Sequence, residues 1–198
     1  MIDFLPELKS DLEKHLVDSR VLLDNFRLIN EDSRKSSAYV DSNYIPFYYH
    51  LGKYVQPINL LEVGFGLGLI SGCFFKSCKS VNYSCLFQSR KQEYYSERTA
   101  LKNLKSVYKN KFDFIFGKIE DIPKVNWDLI FFNEEGSYDE ILYKLDYVWS
   151  DLKLDGILIL DNVIANKEVK KVFDNFYKIK NCQNFSLNTR YGTGILVK

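Results

Sequence analysis

In the stretch LEVGFGLGLISG, residues 61–72, a short apolar run carries a carboxylate, Glu62, and then glycines at alternate positions, Gly64, Gly66 and Gly68. An apolar strand that turns through glycines into a helix lets the backbone approach a ligand closely, with free N–H groups at the helix start directed toward it. The pattern therefore predicts a cofactor loop, although the same glycines would also serve tight strand-to-helix packing alone. Two common loops do not fit. A dinucleotide fingerprint needs Gly or Ala where this chain has Leu69, and the Gly-Lys-Ser/Thr of a phosphate-binding loop is absent.

Other residues able to do chemistry are few. The run Asn133-Glu134-Glu135-Gly136-Ser137-Tyr138 is acidic, and Asp161-Asn162 ends a second apolar run. His50, shortly before the glycine loop, is one of two histidines, and could enter a site as a base or serve packing. The four cysteines, Cys73, Cys78, Cys85 and Cys182, include no C-x-x-C pair, so they read as reduced and core-filling and a zinc site is not expected. Lys+Arg 27 against Asp+Glu 26 gives a formal charge of +1, so no global field draws the chain to nucleic acid or an anionic membrane. No apolar run reaches the ~20 residues of a membrane helix, and the start MIDFLPELKSDLEKH lacks the order of a signal peptide. The expected location is cytoplasmic, while oligomeric state, including a homo-oligomer, stays open.

These groups need elements to place them. With 198 residues and 46% hydrophobic content the chain suits one main domain. Leu8, Leu12, Leu16, Leu23 and Phe26 recur near helical spacing, and 31–44 is polar, so residues 1–45 read as a helical extension with a loop or lid. Residues 46–54 suggest a short helix. Beyond it, strands at 59–63, 83–87, 112–116, 129–132 and 157–160 alternate with helical patterns at 69–77, 92–107, 138–152 and 167–176. That alternation predicts an α/β fold with a doubly wound, mostly parallel sheet. Residues 185–189 and 194–197 flank a turn, which predicts a closing antiparallel hairpin.

E-x-G-x-G-x-G resembles motif I of the class I S-adenosylmethionine-dependent methyltransferases. The order of elements over 46–198 resembles that domain, a Rossmann-like seven-stranded sheet with a C-terminal antiparallel hairpin. A second match, residues 127–163, is similar to the fourth and fifth strands of small-molecule O-methyltransferases of the catechol and caffeoyl-CoA type, with Asp155-Gly156 in place of a double glycine. The resemblance implies S-adenosylmethionine as cofactor and a small-molecule acceptor, with O-methylation as the expected chemistry. It places Glu62 near the methionyl end, Gly64, Gly66 and Gly68 under the cofactor, Gln88 at the ribose, Lys118 and Ile119 beside the adenine, and Asn133 at the end of the fourth strand. Glu135, with Glu134 beside it, becomes the expected general base.

The departures from the family pattern bear on function. Gln88 stands where an acidic residue is usual and loses charge-assisted bonds to the ribose hydroxyls. Lys118 replaces an acidic or small polar residue. Asn133, Asp161 and Asn162 match a metal triad with one carboxylate missing, so no metal is expected unless Glu134 or Glu135 compensates. Gly136 occupies the position of a histidine, and the N/D-P-P-Y/F signature of nucleic-acid amino-methyltransferases is absent. Two function classes follow: a methyltransferase acting on a small molecule, or a degenerate, non-catalytic binding or assembly module on the same fold.

Overall fold

The computed structural model describes residues 44–65, 68–87 and 112–198. The N-terminal extension, its lid, Gly66, Gln88 and the helical pattern at 92–107 lie outside the described residues. Helix α1 (Tyr44–Val55) leads into β1 (Asn59–Val63), followed by α2 (Leu69–Ser77) and β2 (Asn82–Phe87). Strand β3 (Phe112–Phe116), a single 3₁₀ turn (Ile119–Asp121) and β4 (Trp127–Phe132) come next. Helix α3 (Tyr138–Ser150), β5 (Leu152–Asp161), α4 (Lys167–Lys180), β6 (Gln183–Leu187) and β7 (Thr193–Val197) complete the order.

The strands form one seven-stranded sheet in the order β3-β2-β1-β4-β5-β7-β6. β1 to β5 pair in parallel, and β7 pairs antiparallel with both β5 and β6, as the terminal hairpin predicted. Parallel strands must be covered on both faces, and alternation along each strand divides the side chains between two layers. Leu60, Tyr83, Cys85, Leu129, Phe131, Ile157 and Ile159 pack with α1 and α2 residues such as Tyr48 and Phe74. Leu61, Val63, Leu86, Ile130, Phe132, Leu158 and Leu160 pack with Ile141 and Leu145 of α3 and Val172 and Phe176 of α4. Cys73, Cys78 and Cys85 are buried thiols that form no disulfide among the described residues, and Cys182 is half-buried. Burial pushes the Cys73 thiol far up, against ionisation, which suits packing rather than nucleophilic work.

Helix boundaries follow local chemistry. Ser137 caps α3, with Glu140 returning a bond to the Ser137 backbone. Asn166 Oδ1 accepts from Glu168 N at 3.0 Å and Val169 N at 3.3 Å to start α4, and left-handed Asn181 ends it. Strand β5 starts earlier than its apolar run suggests. A register shift against β4 between Trp127 and Leu129 accommodates the exposed Leu154 and the left-handed Asp155 (φ 61°), the conformation for which a glycine is the usual residue.

Asp128 fastens the opposite end of β1 to β4. Its Oδ2 accepts from Ile58 N at 3.0 Å and Asn59 N at 2.7 Å, and its Oδ1 pairs with Lys153 Nζ at 2.6 Å. Burial works against the carboxylate, but Lys153 and the two amides outweigh it and hold the carboxyl below its usual range. A lowered carboxyl pKa adds stability that is present above the unfolded value and lost as pH falls through the folded one. Asp128→Ala is expected to cost about 1.5–3 kcal/mol at neutral pH, read from urea melts, with the difference from the parent shrinking in acid. A difference that stays constant down to strongly acidic pH would contradict this role.

Candidate functional site

The chain runs outward from β1 through β2 to β3, then crosses back to place β4 on the other side of β1. Strand order therefore reverses between β1 and β4, and in open α/β sheets the crevice at the carboxyl ends of such strands is where ligands bind. Gly64 follows β1 and Asn133 follows β4, and the two backbones meet there. Gly64 has φ 88°, and a Cβ built on it would lie 2.1 Å from the Asn133 carbonyl oxygen. Asn133 N in turn donates to Val63 O at 2.8 Å. Gly68, also left-handed (φ 74°), is buried at the start of α2.

Glu62 is wholly buried, on the sheet face that α1 and α2 cover. Its Oε2 accepts from Tyr83 Oη of β2 and from Ser71 Oγ of α2, the latter at 2.7 Å. Ser71 Oγ and Tyr83 Oη are themselves 2.5 Å apart. Oε1 has no hydrogen-bond partner among the described residues. Burial pushes the Glu62 carboxyl up to about 8, overcoming the opposite pull of the Tyr83 and Ser71 hydrogen bonds. An acceptor oxygen left over at the base of a glycine loop fits a cationic or N–H donor of a ligand.

On the β4 side the acidic run separates into distinct roles. Glu134 pairs with Lys144 of α3 at 2.7 Å, and both side chains are largely buried. Glu135 is exposed. Gly136 sits beside Glu140, whose Oε2 accepts from Ser137 N at 2.9 Å and Ser137 Oγ at 2.8 Å, so the start of α3 is fully occupied by its own cap. Asn162, left-handed at φ 67°, donates Nδ2 to Asn133 Oδ1 at 3.1 Å. Asp161 is buried on the Glu62 face, in register with Thr193, which bonds Thr189 at 2.9 Å.

Asn133, Asp161 and Asn162 are thus brought together, but two of the three side chains engage each other. No group of three or more His, Cys, Asp and Glu residues suited to a metal ion occurs among the described residues. Mg²⁺ favours charged oxygen ligands, and this trio offers one carboxylate. Added Mg²⁺ is expected to leave the melting temperature unchanged, and chelator to leave any activity intact. A saturable Mg²⁺-dependent rise, abolished in Asp161→Ala, is the contrary result.

Lys118 is exposed, and its backbone N–H donates to Asp121 Oδ2 at 2.7 Å, closing the 3₁₀ turn after β3. Ile119 is 2% exposed and packs in the layer under α3 and α4 with Leu86 and Ile122. His50 lies on α1, half-buried, with its ring 5.5 Å from that of Tyr49. An aromatic group not anticipated from sequence gathers at the ends of β2 and β3: Phe65 is 5.1 Å from Phe87, which stacks on Phe116 at 5.3 Å. Phe116 is 60% exposed, and such a ring can stack a planar base. The Ser71 and Tyr83 contacts and the Lys144 pairing were likewise not anticipated. Alternation does place Tyr83 on the Glu62 face, but only strand register, with Cys85 opposite Glu62, shows that they are neighbours.

No family model matches the chain, and no curated protein matches it in sequence. Solved structures do match in shape. A candidate caffeoyl-CoA O-methyltransferase from Staphylococcus aureus aligns at TM-score 0.68 and 17% identity, over 91% of this chain and 98% of its own. The SAH-bound methyltransferase PaMTH1 from Podospora anserina aligns at 0.66 and 17%, over 98% and 95% respectively. An O-methyltransferase from Bacillus cereus in complex with SAH aligns at 0.61 and 13%, over 93% and 91%. At these identities the likeness is one of fold, and together with the topology it gives the conclusion: this chain has the fold of the class I S-adenosylmethionine-dependent methyltransferases.

Proposed function

We propose that the chain binds S-adenosylmethionine at the β1–β4 crevice and transfers its methyl group to a small-molecule acceptor, with a hydroxyl oxygen as the nucleophile. The observation that carries this reading is Glu62: a buried carboxyl at the base of the glycine loop, held through one oxygen by Ser71 and Tyr83, with the other left to a ligand. Neighbours of the same fold that hold SAH support the choice of cofactor.

Bound S-adenosylmethionine supplies an electrophilic methyl on a positively charged sulfur, so the protein's work is largely alignment and proton handling. Glu62 Oε1 would accept from the ammonium of the methionyl end. Gly64, Gly66 and Gly68 would let the loop backbone approach without a side chain in the way. Gln88 would reach the ribose through its amide oxygen, while the backbone near Lys118 and Ile119 would border the adenine. Asn133, fixed by Asn162, would shape the crevice floor. Glu135 would take the proton from the acceptor, because Glu134 is held by Lys144.

Buried cysteines in the reduced form fit a reducing compartment, which supports a cytoplasmic place. The described helices include none long and apolar enough to cross a membrane. A non-catalytic module is the second reading, favoured by the neutralised Glu134 and by Gly136 in place of a histidine. Incubation with methyl-labelled S-adenosylmethionine and a panel of small hydroxyl, thiol and amine acceptors tests the first reading: label should pass to a hydroxyl compound. Cofactor binding with no transfer to any acceptor would support the second.

A further inference from the structure

The contacts around Glu62 contain more oxygens than hydroxyl protons can join. Glu62 Oε2, Ser71 Oγ and Tyr83 Oη are all within hydrogen-bond distance of one another. Three such edges require three protons, and the two hydroxyls supply only two. The third belongs on the carboxyl group. An ionised Glu62 would leave two oxygens in close contact with no proton between them, inside a buried layer.

Among the described residues, no buried positive charge favours ionisation of Glu62. Among the described residues, the titratable groups near Glu62 are Tyr83 and Cys85 from β2 and Cys73 from α2, while Tyr48 of α1 and Asp161 of β5 belong to the same buried face. No Lys, Arg or His is buried among the described residues, and His50 and Lys53 of α1 stand outside the buried layer. The burial that raises the carboxyl agrees with the proton count.

We propose that Glu62, kept neutral by its burial, shares its proton with Ser71 and Tyr83 as positioning residues, and that an ammonium-bearing ligand meeting Oε1 drives that proton out to solvent. This rests on the proposed cofactor site. The balance is simple: the proton passes from the Glu62 carboxyl to buffer, the carboxylate is compensated by the ligand's ammonium, and both hydroxyls then donate to Oε2. No covalent bond forms or breaks apart from the O–H of the acid. Affinity for such a ligand should rise as pH increases toward about 8 and flatten above it, since beyond that point the acid is already ionised in the free chain.

Calorimetric titration of the full chain with S-adenosylhomocysteine at mildly acidic pH, in buffers of different ionisation enthalpy, counts the protons released. The expected result is close to one proton per ligand, falling toward zero above about pH 8. In Tyr83→Phe a donor that lowers the acid's pKa is removed, so the midpoint of this fall should move to higher pH, and Ser71→Ala should move it the same way. A purely structural role would change the melting temperature and leave that midpoint in place. Binding without buffer dependence over the whole range overturns the proposal. If S-adenosylhomocysteine does not bind, the cofactor reading fails and infrared spectroscopy decides this one separately. A protonated-carboxyl C=O band at neutral pH, absent in Glu62→Gln, supports the shared acid, and its absence from the parent chain refutes it. Should Glu62→Gln fail to fold, disappearance of the band in the parent chain as pH passes about 8 provides the same reading.

Discussion

Gly64→Ala is expected to destabilise the chain by about 2–5 kcal/mol and to abolish cofactor binding in whatever fraction still folds. A left-handed backbone costs a non-glycine residue about 1–2 kcal/mol, and forcing a methyl into packed structure costs about 1–3 kcal/mol more. The obstruction is backbone: the new Cβ would sit 2.1 Å from the Asn133 carbonyl oxygen and 2.9 Å from its carbon. Relief requires β1 and β4 to separate at their carboxyl ends, where the crevice is formed. Gly136→Ala is the control, since its Cβ would meet the Glu140 side chain and no backbone, with the tightest approach, 3.1 Å, to the terminal Oε2. Urea melts of both variants check the claim, and a Gly64→Ala variant as stable as Gly136→Ala would contradict it.

Glu135→Gln is expected to lower kcat by about 10²–10⁴-fold while leaving cofactor affinity unchanged, the scale on which a positioned general base contributes. Glu134→Gln should behave differently. It leaves the ammonium of Lys144 largely buried without its carboxylate, so its effect should appear first as lost stability. Comparing kcat and melting temperature for the two variants separates the roles. Full turnover in Glu135→Gln would remove it from the mechanism and return the question of the base to a group outside the acidic run.

The parts of the fold that could be read from sequence are those set by local pattern. Strand β1 and helix α2 fall on the predicted residues 59–63 and 69–77, because short apolar runs bounded by glycines or polar residues leave little freedom. Strand β5 was read too short. Lys153, Leu154 and Asp155 break the apolar run, and what keeps them in the sheet is the register shift against β4, which is a tertiary feature. The hairpin strands shift by one or two residues for the ordinary reason that turns end where pairing ends.

The site was legible as a list of rim positions, not as a set of contacts. Glu62 and the glycines identify a loop, but the sequence has no mark linking Glu62 to Ser71, nine residues on, or to Tyr83, twenty-one residues on. Parallel pairing creates those neighbours. Glu134 and Glu135 look equivalent in sequence and differ only because α3 brings Lys144 to one of them. Ile119 is packed in the apolar layer, and its expected place beside a ligand ring stays part of the proposal. Gly66, Gln88 and residues 1–43 lie outside the described residues, and their roles remain part of the proposal.

The central claim is that the β1–β4 crevice binds S-adenosylmethionine. Calorimetric titration of the full chain with S-adenosylmethionine, and with S-adenosylhomocysteine in parallel, tests it most directly. Saturable one-to-one binding in the micromolar range, about −8 kcal/mol, is expected, reduced or lost in Gly64→Ala. No heat of binding at millimolar concentrations of either compound, from a chain shown to be folded, would contradict it.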